Sequence, residues 1–563
     1  MCGIWALFGC DSTDIKHYAS AFAISHRGPD CYQLQNVSQL RNCTLAFHRL
    51  CVVDTVRGTQ PMRLVQYPHL TLLCNGEIYN FRKIKEVFGF SFETACDCEI
   101  ILHLYNKFGI EKTVSLLDGV FACVILDTNT NKVMLARDTY GVRPMFYFTT
   151  RNGMLGLCSE AKGLGDILKI KNGEEQSKLL HPFPPAHYMV YDVVEGGKVS
   201  LEKSEKFHIF ANRPLHWQYQ NIELQEGDLD AIHANIRKLF TNAVEKRLMA
   251  SRRVGSLLSG GLDSSLVAAI TAKKLKAHHC PQQLQTFSIG MGESPDLIAA
   301  RKVADHIGSE HHEVNFTAEE GIQAVDDVIY ATESFDITTI RASTPMYLLS
   351  KYISQQTDTI VIMSGEGADE LAQGYIYFHK QPSAEDGDKE SRRLLEDLHL
   401  FDVLRTDRST AAHGLEVRAP FLDHAFTSYY LSLDSELRAP TKQVEKYLLR
   451  SAFDKTGLLP NDILWRKKEA FSDGVSTKEK SWFMILKTSL ESKVSDEELA
   501  KAAETYPHCT PKTKEGLYYR KVFEQRFGTH VSHLIPYIWL PRWMECDNDP
   551  SARVLANYNN DEK

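Results

Sequence analysis

Residues 254–265 read Val-Gly-Ser-Leu-Leu-Ser-Gly-Gly-Leu-Asp-Ser-Ser, and this stretch decides the fold of the larger part of the chain. Residues 254–258 predict a short buried strand, and residues 266–276 have helical composition. The loop between them supplies glycines, which let a backbone approach phosphate oxygens closely, and serine hydroxyls, which donate to those oxygens. The stretch therefore predicts a phosphate-binding loop at a strand end. It lacks the Gly-Lys-Ser/Thr ending of a Walker loop, which argues against transfer of a γ-phosphate.

Strands and helices alternate through the next hundred residues. This alternation predicts an α/β fold with a parallel, doubly wound sheet, whose ligand site lies at the carboxyl ends of the strands. We expect strands at residues 285–289, 314–316 and 359–363, and helices at residues 297–307, 319–330 and 345–355. Residues 380–396 are polar and charged, and we interpret them as a mobile surface loop.

The first two hundred residues have a different pattern, rich in short strands. Strands are expected at residues 43–48, 70–74, 120–127 and 132–137, and helices at residues 97–108 and 111–117. The mixture predicts an α+β fold with sheets packed together and helices outside. Patterning weakens between residues 195 and 230, so we place the boundary near 210 and expect domains at 1–210 and 211–563.

Composition narrows the possible partners. The chain has 64 Lys and Arg against 72 Asp and Glu, a net charge of −8, which argues against nucleic acid or an anionic membrane as the main partner. No apolar run approaches the roughly 18 residues of a membrane helix. The N-terminus has no basic start of a secretory signal, and the 13 cysteines are interpreted as reduced thiols of a cytosolic protein.

Cys2 is the first candidate for chemistry. A small second residue normally permits removal of the initiator Met, which would leave Cys2 with a thiol and a free α-amine. The unperturbed pKa of such an amine is about 7.7–8.0, so near neutral pH it can accept the proton of the thiol. The alternative is a small buried hydrophobic residue, which most isolated cysteines are.

The interpretation of Cys2 as a nucleophile is favoured by three polar segments, at residues 25–30, 48–54 and 75–80. An amide attacked by a thiolate needs an oxyanion hole, for which the Asn75 side chain and the Gly76 N–H are suitable donors. A free amino acid also needs its two charged ends matched. Arg49 can pair with an α-carboxylate, and Asp97 or Glu77 can accept an α-ammonium.

Residues 1 to about 190 resemble the class II glutamine amidotransferase domain of the N-terminal nucleophile family. The matching motifs are Cys2-Gly-Ile, His26-Arg-Gly-Pro-Asp30, His48-Arg-Leu50, Asn75-Gly-Glu-Ile-Tyr-Asn80, Asp118-Gly-Val-Phe121, Arg137-Asp138, Gly141-Val-Arg-Pro144 and Ser159-Glu-Ala-Lys162. The resemblance implies a four-layer αββα fold, with Cys2 as the nucleophile and Asn75 and Gly76 as the oxyanion hole. It implies that glutamine is held by Arg49, Leu50, Val52, Val53, Glu77 and Asp97.

Two cysteines flank one of these residues in Cys96-Asp-Cys98. A pair of thiols suggests a metal or redox site. With no second pair nearby in the sequence, we interpret both thiols as structural.

The phosphate loop resembles the PP-loop of ATP pyrophosphatases, and with later motifs it resembles the glutamine-hydrolysing asparagine synthetases, animal enzymes above all. Those motifs are Thr338-Thr-Ile-Arg-Ala-Ser-Thr-Pro345, Ser364-Gly-Glu-Gly-Ala-Asp-Glu370, Leu415-Glu-Val-Arg-Ala-Pro-Phe-Leu-Asp423 and Lys467-Lys-Glu-Ala-Phe-Ser-Asp-Gly474. The resemblance implies that ATP is contacted by Leu257, Ser259, Gly260, Gly261, Asp263, Ser264, Ser265, Ile289, Ser364 and Gly365. It assigns Mg²⁺-pyrophosphate to Asp263 and Asp369, and catalytic roles to Glu366, Arg341 and Lys468.

This resemblance implies a homodimeric carbon–nitrogen ligase that uses glutamine, aspartate and ATP. Three alternatives remain. A sugar-phosphate or phosphoribosyl amidotransferase would lack the PP-loop, and a β-lactam-forming synthetase would have a dead glutaminase. A non-catalytic homologue would have lost Cys2 or the PP-loop acid, and neither is lost.

Overall fold

The computed structural model describes residues 1–10, 15–172, 180–209, 227–476, 481–544 and 549–551. The domain boundary expected near residue 210 lies outside the described residues, so its position stays a prediction. Among the helices of the described part of the chain, none combines the length and apolar composition needed to cross a membrane.

The N-terminal part contains two antiparallel six-stranded sheets. Their strand orders are β10-β8-β9-β1-β3-β2 and β12-β11-β7-β6-β5-β4. The strands are β1 Gly3–Phe8, β2 Cys31–Asn36, β3 Cys43–Arg49, β4 Met62–Leu64, β5 Tyr67–Ile78, β6 Gly119–Asp127, β7 Lys132–Arg137, β8 Phe146–Thr149, β9 Leu155–Cys158, β10 His181–Pro182, β11 His187–Val193 and β12 Val199–Lys206. The helices are α1 Ile15–Phe22, α2 Phe81–Phe88, α3 Glu99–Leu116 and α4 Lys162–Asn172.

Alternating side chains of the strands build four layers. On β1, Ile4 and Phe8 pack between the two sheets with Ala122 and Val124 of β6. Trp5 lies on the opposite face of β1, in the cluster that contains α4 residues. The outer face of the second sheet packs against α3. Because side chains alternate along a strand, each sheet has one face toward the other sheet and one toward helices. The expected αββα fold is confirmed.

The C-terminal part is built on a five-stranded sheet in the order β15-β14-β13-β16-β17, with all pairs parallel. Its strands are β13 Arg253–Leu257, β14 Gln285–Gly290, β15 Glu310–Asn315, β16 Thr359–Met363 and β17 Glu416–Arg418. Strand order reverses between β13 and β16, the position where ligands bind in doubly wound sheets. The predicted α/β fold is confirmed.

Seventeen helices surround this sheet among the described residues. They are α5 Leu229–Lys246, α6 Leu262–Ala277, α7 Pro295–Ile307, α8 Ala318–Thr332, α9 Ile337–Gln356, α10 Ala368–Leu371, α11 Ala384–Asp397, α12 Asp402–Ala411, α13 His424–Ser432, α14 Ser435–Arg438, α15 Tyr447–Phe453, α16 Asn461–Leu464, α17 Phe471–Gly474, α18 Trp482–Glu491, α19 Asp496–Ala500, α20 Ala502–Thr505 and α21 Lys514–Phe527.

The loop predicted at residues 380–396 is wrong, because α11 occupies most of it. Ser383 begins the helix by accepting a hydrogen bond from the backbone N–H of Asp386. Leu394 and Leu395 are buried. Arg393 pairs with Glu390 and Asp397, three and four residues away. Charge pairs at this spacing stabilise helices, so the polar composition was misread as a loop.

Candidate active sites

The thiol of Cys2 lies just before β1 and beside the chain that leaves β3. The backbone N–H of Leu50 lies 3.4 Å from Sγ, and Sγ lies 3.7 Å from the Leu50 carbonyl oxygen. Arg27 fixes the residue from the other side, since its Nε donates to the Cys2 carbonyl at 3.0 Å. Burial raises the pKa of the Cys2 thiol to about 11. The thiol is therefore well positioned, but it needs a nearby base to ionise.

The α-amine of the full chain belongs to Met1, which is only 1% exposed. Its nitrogen lies 3.5 Å from the Leu415 carbonyl oxygen, and its side chain packs against Ala411 and Val417. Burial lowers the pKa of this amine to about 6. Removal of Met1, which we predicted from the small residue at position 2, would make Cys2 the residue with the free α-amine.

Asn75 and Gly76 lie on β5, opposite Ala122 and Phe121 of β6. Asn75 is 1% exposed, and neither its Oδ1 nor its Nδ2 has a hydrogen-bond partner. A Cβ at Gly76 would lie 2.3 Å from the Val120 carbonyl oxygen, so only glycine fits there. Burying an amide without a partner costs free energy. This unpaired amide is what a site that receives a polar ligand requires.

Two buried acids lie close to these donors. Asp97 accepts a hydrogen bond from the Ile78 N–H at 2.6 Å, yet burial raises the pKa of its carboxyl to about 6. Burial and the neighbouring Glu416 raise the pKa of Glu77 well above its usual value, although Arg418 lies 3.4 Å from Glu77. A ligand ammonium would stabilise the ionised form of both acids.

The segment after β3 makes contacts with the C-terminal part. Arg49 donates through Nη2 to the Asp54 carbonyl. The Val52 carbonyl accepts from the Ser251 N–H at 2.8 Å, and Leu50 and Val52 are buried in the apolar cluster that contains α5. Substrate contacts at Leu50, Val52 and Val53 stay predictions.

A second site lies at the carboxyl ends of β13, β14 and β16, where one cavity collects most of the predicted ATP residues. The residues of that prediction that line it are Leu257, Ser259, Gly261, Asp263, Ser264, Ile289, Ser364, Gly365, Glu366, Asp369 and Lys468. A Cβ at Gly365 would lie 2.8 Å from the Ser264 N–H nitrogen, so the loop after β16 touches the phosphate loop. The cavity is at the edge of the sheet that strand alternation predicted.

Three of the predicted residues do not line this cavity. A Cβ at Gly260 would lie 2.4 Å from Ala299, because this glycine packs against α7. Ser265 is fully buried beneath the loop. Arg341 is held by Glu515 and Asp549, each at 2.7 Å. Thr338, one helical turn before Arg341, lines the cavity, but the guanidinium of Arg341 is engaged by these two acids, so its catalytic role stays a prediction.

Two lysines neutralise the acids of the cavity. Lys446 forms ion pairs with Asp263 and Asp369, and Lys468 pairs with Asp369 at 2.6 Å. Burial alone would raise the pKa of Asp369, but the lysines outweigh it and hold that pKa below its usual range. Asp369 and Asp263 likewise outweigh burial at Lys468 and raise its pKa. Asp369 and Lys468 are therefore charged near neutral pH.

Glu366 is the third acid of the cavity. Arg405 donates through Nη2 to both of its oxygens, at 3.0 and 2.9 Å. Burial raises the pKa of Glu366 to about 7, against the effect of Arg405 and with help from Asp402 and Asp369. A carboxyl with a pKa near neutrality can accept or return a proton during a reaction.

Comparison with known proteins identifies the family. The Asparagine synthase family model matches residues 235–393 and 381–545, and the Glutamine amidotransferase domain model matches residues 1–202. The glutamine-hydrolysing asparagine synthetase of Gallus gallus is 57% identical over 99% of this chain and 99% of its own length. Those of Pongo abelii and Homo sapiens are each 55% identical with the same coverage. The chain belongs to the glutamine-hydrolysing asparagine synthetase family.

Some residues of this asparagine synthetase family member could not be found from its sequence. Lys446 and Arg405 contact the predicted acids, yet neither lies in a recognised motif. Lys446 is 183 residues from Asp263 along the chain. Only the packing of α12 and α15 around the sheet brings these cations to the cavity.

The two sites of this asparagine synthetase fold are joined through α12. Arg405 of this helix contacts Glu366, and Asp407 accepts from Arg27 at 2.8 and 3.2 Å. Arg27 is the residue that donates to the Cys2 carbonyl. One ten-residue helix therefore contacts both Glu366 of the cavity and Arg27, which supports Cys2.

Proposed function

We propose that the chain makes L-asparagine from L-aspartate, taking nitrogen from L-glutamine and energy from ATP, with glutamate, AMP and pyrophosphate as the other products. One observation carries the proposal: a supported N-terminal thiol, a buried, unpaired amide and a phosphate-loop cavity occur in one chain whose relatives over 99% of its length are asparagine synthetases. Neither an amidotransferase without the loop nor a dead glutaminase has this combination.

Glutamine hydrolysis follows from the first site. After loss of Met1, the α-amine of Cys2 accepts the thiol proton, and the thiolate attacks the glutamine side-chain amide. Nδ2 of Asn75 and the Gly76 N–H donate to the oxyanion that forms. Ammonia leaves, and water hydrolyses the Cys2 thioester to glutamate. The buried, unpaired amide of Asn75 supports this role.

The two charged ends of glutamine need partners of opposite charge in the site. Asp97 and Glu77 would accept the glutamine ammonium, which offsets the cost of burying two acids. Arg49 would pair with the α-carboxylate. Among the described residues no carboxylate lies within ion-pair distance of Arg49, which supports that assignment.

Adenylation follows from the second site. The loop after β13 would hold the phosphates of ATP, and the aspartate β-carboxylate attacks the α-phosphorus, so that pyrophosphate leaves and a β-aspartyl adenylate remains. Lys446 and Lys468 would stabilise charge on the departing pyrophosphate. Ammonia then displaces AMP, and Glu366, whose pKa is about 7, would accept the proton that the attacking nitrogen loses.

The acids of the cavity fit a magnesium ion. Oδ1 of Asp263 is buried without a hydrogen-bond partner, and Asp263 and Asp369 already converge on the cationic Lys446. Carboxylate oxygens are the protein ligands that Mg²⁺ uses beside phosphates. We propose that Asp263 and Asp369 hold Mg²⁺ with the nucleotide, where the ion would neutralise the phosphate oxygens.

Ammonia must travel between the sites without meeting bulk water, because ammonium is not nucleophilic. Apolar side chains of both parts pack at their junction, with Leu50, Val120 and Val142 in one cluster with Ile236 and Phe240. We propose that the path crosses this junction. A homodimeric assembly and a cytosolic location are proposed from the family resemblance.

The decisive experiment supplies glutamine, aspartate and Mg-ATP and follows all products. We expect asparagine, glutamate, AMP and pyrophosphate to appear in step. Formation of ADP and orthophosphate in place of AMP and pyrophosphate would reject the adenylate route. Glutamate release without asparagine would leave only a glutaminase.

A further inference from the structure

A group of buried thiols lies around Asp97. Cys96 and Cys98 flank Asp97 in the turn that precedes α3, and Cys74 approaches from β5. All three thiols are at most 5% exposed. The sequence showed only the first two, because Cys74 lies 22 residues earlier and reaches the turn through the sheet.

The ligand atoms of the turn are already close together. Sγ of Cys96, Sγ of Cys98 and a carboxylate oxygen of Asp97 lie within 4.8 Å of one another. Cys98 is in hydrogen-bonding contact with Cys74 as well as with Cys96. Tetrahedral zinc with bonds of about 2.0–2.3 Å separates its ligand atoms by roughly 3.5–3.8 Å, so side-chain adjustments of about 1 Å suffice.

We propose that Cys96, Asp97 and Cys98 form a binding site for a thiophilic divalent cation such as Zn²⁺, and that its occupancy blocks glutamine. Cys74, which contacts Cys98, lies outside this group of ligand atoms. Binding converts thiols to thiolates and releases one proton for each cysteine that ligates. The block rests on the proposed function, since it requires Asp97 to hold the glutamine ammonium. Cation binding itself rests only on the arrangement of the ligands.

A disulfide between these cysteines explains the arrangement less well. It would require an oxidant to reach sulfurs that are at most 5% exposed, and a Cys-x-Cys bond would tie neighbouring turn residues. A cation instead fits the mixed set of sulfur and oxygen ligands. The Arg49 guanidinium and the Cys96 side chain both lie within 3.3 Å of the position that a Cβ on Gly58 would occupy. This positive charge near Cys96 favours a site with several anionic ligands.

Cobalt titration of the full-length chain tests the cation site without relying on activity. Co²⁺ should produce thiolate-to-metal charge-transfer absorption in the near ultraviolet, and Zn²⁺ should displace it. The absorption should persist in Cys2→Ala, which removes the thiol of the proposed nucleophile. It should be lost in Cys96→Ser/Cys98→Ser, where hydroxyls keep the hydrogen-bonding capacity without the sulfur.

A matched control is Cys158→Ser, which changes a buried thiol of the other sheet. It should retain the absorption and the zinc affinity of the parent chain. Absence of the absorption in the parent, or its persistence in the double variant, would overturn the cation site. Its loss in Cys2→Ala would assign the sulfur to Cys2 and overturn the proposed ligands.

Glutamine hydrolysis tests the block separately. Zn²⁺ should inhibit the parent, and glutamine should protect against it. The Cys96→Ser/Cys98→Ser variant should need at least about tenfold more Zn²⁺, because loss of a ligand weakens metal affinity by that much or more. Ammonia-dependent synthesis should be unaffected at the same Zn²⁺ concentration. Cation binding by absorption with uninhibited hydrolysis would overturn the block. A chain with no hydrolysis even after chelation would instead contradict the proposed function.

Discussion

In the first site the buried amide of Asn75 lacks partners, whereas in the cavity beyond β13 the acids are paired with protein cations. Asn75 has an amide with neither end bonded, while Asp369 is shared by Lys446 and Lys468 and Glu366 is held by Arg405. The amide of Asn75 can receive a ligand without losing a protein contact, although Glu77 in the same site is paired with Arg418 at 3.4 Å. The second site must exchange protein ion pairs for ligand contacts, and breaking buried pairs is costly. ATP binding should therefore rearrange ion-paired side chains more than glutamine binding does.

Among the proposed variants, Cys2→Ala should separate the activities of the two sites most strongly. Loss of the nucleophile should lower glutamine-dependent synthesis by at least about 10⁴-fold, a scale seen when other nucleophiles are removed. Ammonia-dependent synthesis should continue, because the ATP cavity is intact. Both rates are measured by asparagine formation with either nitrogen donor. Cys51→Ala, a partly buried thiol nearby, is the control and should retain both. Loss of both activities in Cys2→Ala would contradict two separate sites.

The converse change is Asp263→Ala. Removing this acid leaves Lys446 with one carboxylate and takes away a proposed Mg²⁺ ligand, so synthesis should fall by about 10³-fold with either donor. Glutamine hydrolysis should persist. Pyrophosphate and glutamate release are measured in parallel, with Asp462→Ala, an exposed acid paired with Lys302, as the control. Undiminished synthesis would reject the role of Asp263.

Asn75→Ala tests the proposed oxyanion donor of the first site. The loss of an oxyanion donor should lower kcat for glutamine hydrolysis by about 10²-fold, which corresponds to nearly 3 kcal/mol, with a smaller change in KM. Because its amide has no partner in the folded chain, the melting temperature should hardly change. Asn80→Ala offers the contrast, since that amide bonds to Leu116 and Asp118. Asn80→Ala should lower the melting temperature clearly but change kcat only slightly. An equal melting loss in both variants would contradict a free amide at Asn75.

The smallest effect concerns pH at the second site. Glu366 has its pKa raised to about 7, so its ionised form, the proton acceptor, is present above that pH and lost below it. At constant free ammonia, synthesis should fall by about tenfold per pH unit below 7 and level off above it. Glu366→Gln should be slower and lack this inflection. An inflection that survives in Glu366→Gln belongs to another group.

The sequence predicted local features of the fold well. Residues 285–289 and 359–363 agree closely with β14 and β16, because apolar runs bounded by turns carry their own signal. The error at residues 380–396 has a physical reason. Helix α11 is stabilised by charge pairs on its surface and by two buried leucines, and overall polarity hides both.

The candidate sites were predictable only where residues act within a motif. The phosphate loop and the loop after β16 line one cavity as expected. Lys446 and Arg405 could not be predicted, because they reach the acids through tertiary packing. Arg341 shows the reverse case, in which a motif residue is engaged by Glu515 and Asp549. A motif fixes which residues are neighbours in sequence, but not the direction in which each side chain points.

The helix α12 that contacts both sites has a consequence for nucleotide binding. An α-helix rises about 1.5 Å per residue, so Arg405 and Asp407 move together as parts of one stiff rod. If a bound nucleotide draws Glu366 away from Arg405, α12 loses one contact with the cavity. Asp407 of the same helix still pairs with Arg27, which donates to the Cys2 carbonyl. We therefore expect nucleotide binding to alter the support of the Cys2 carbonyl through α12.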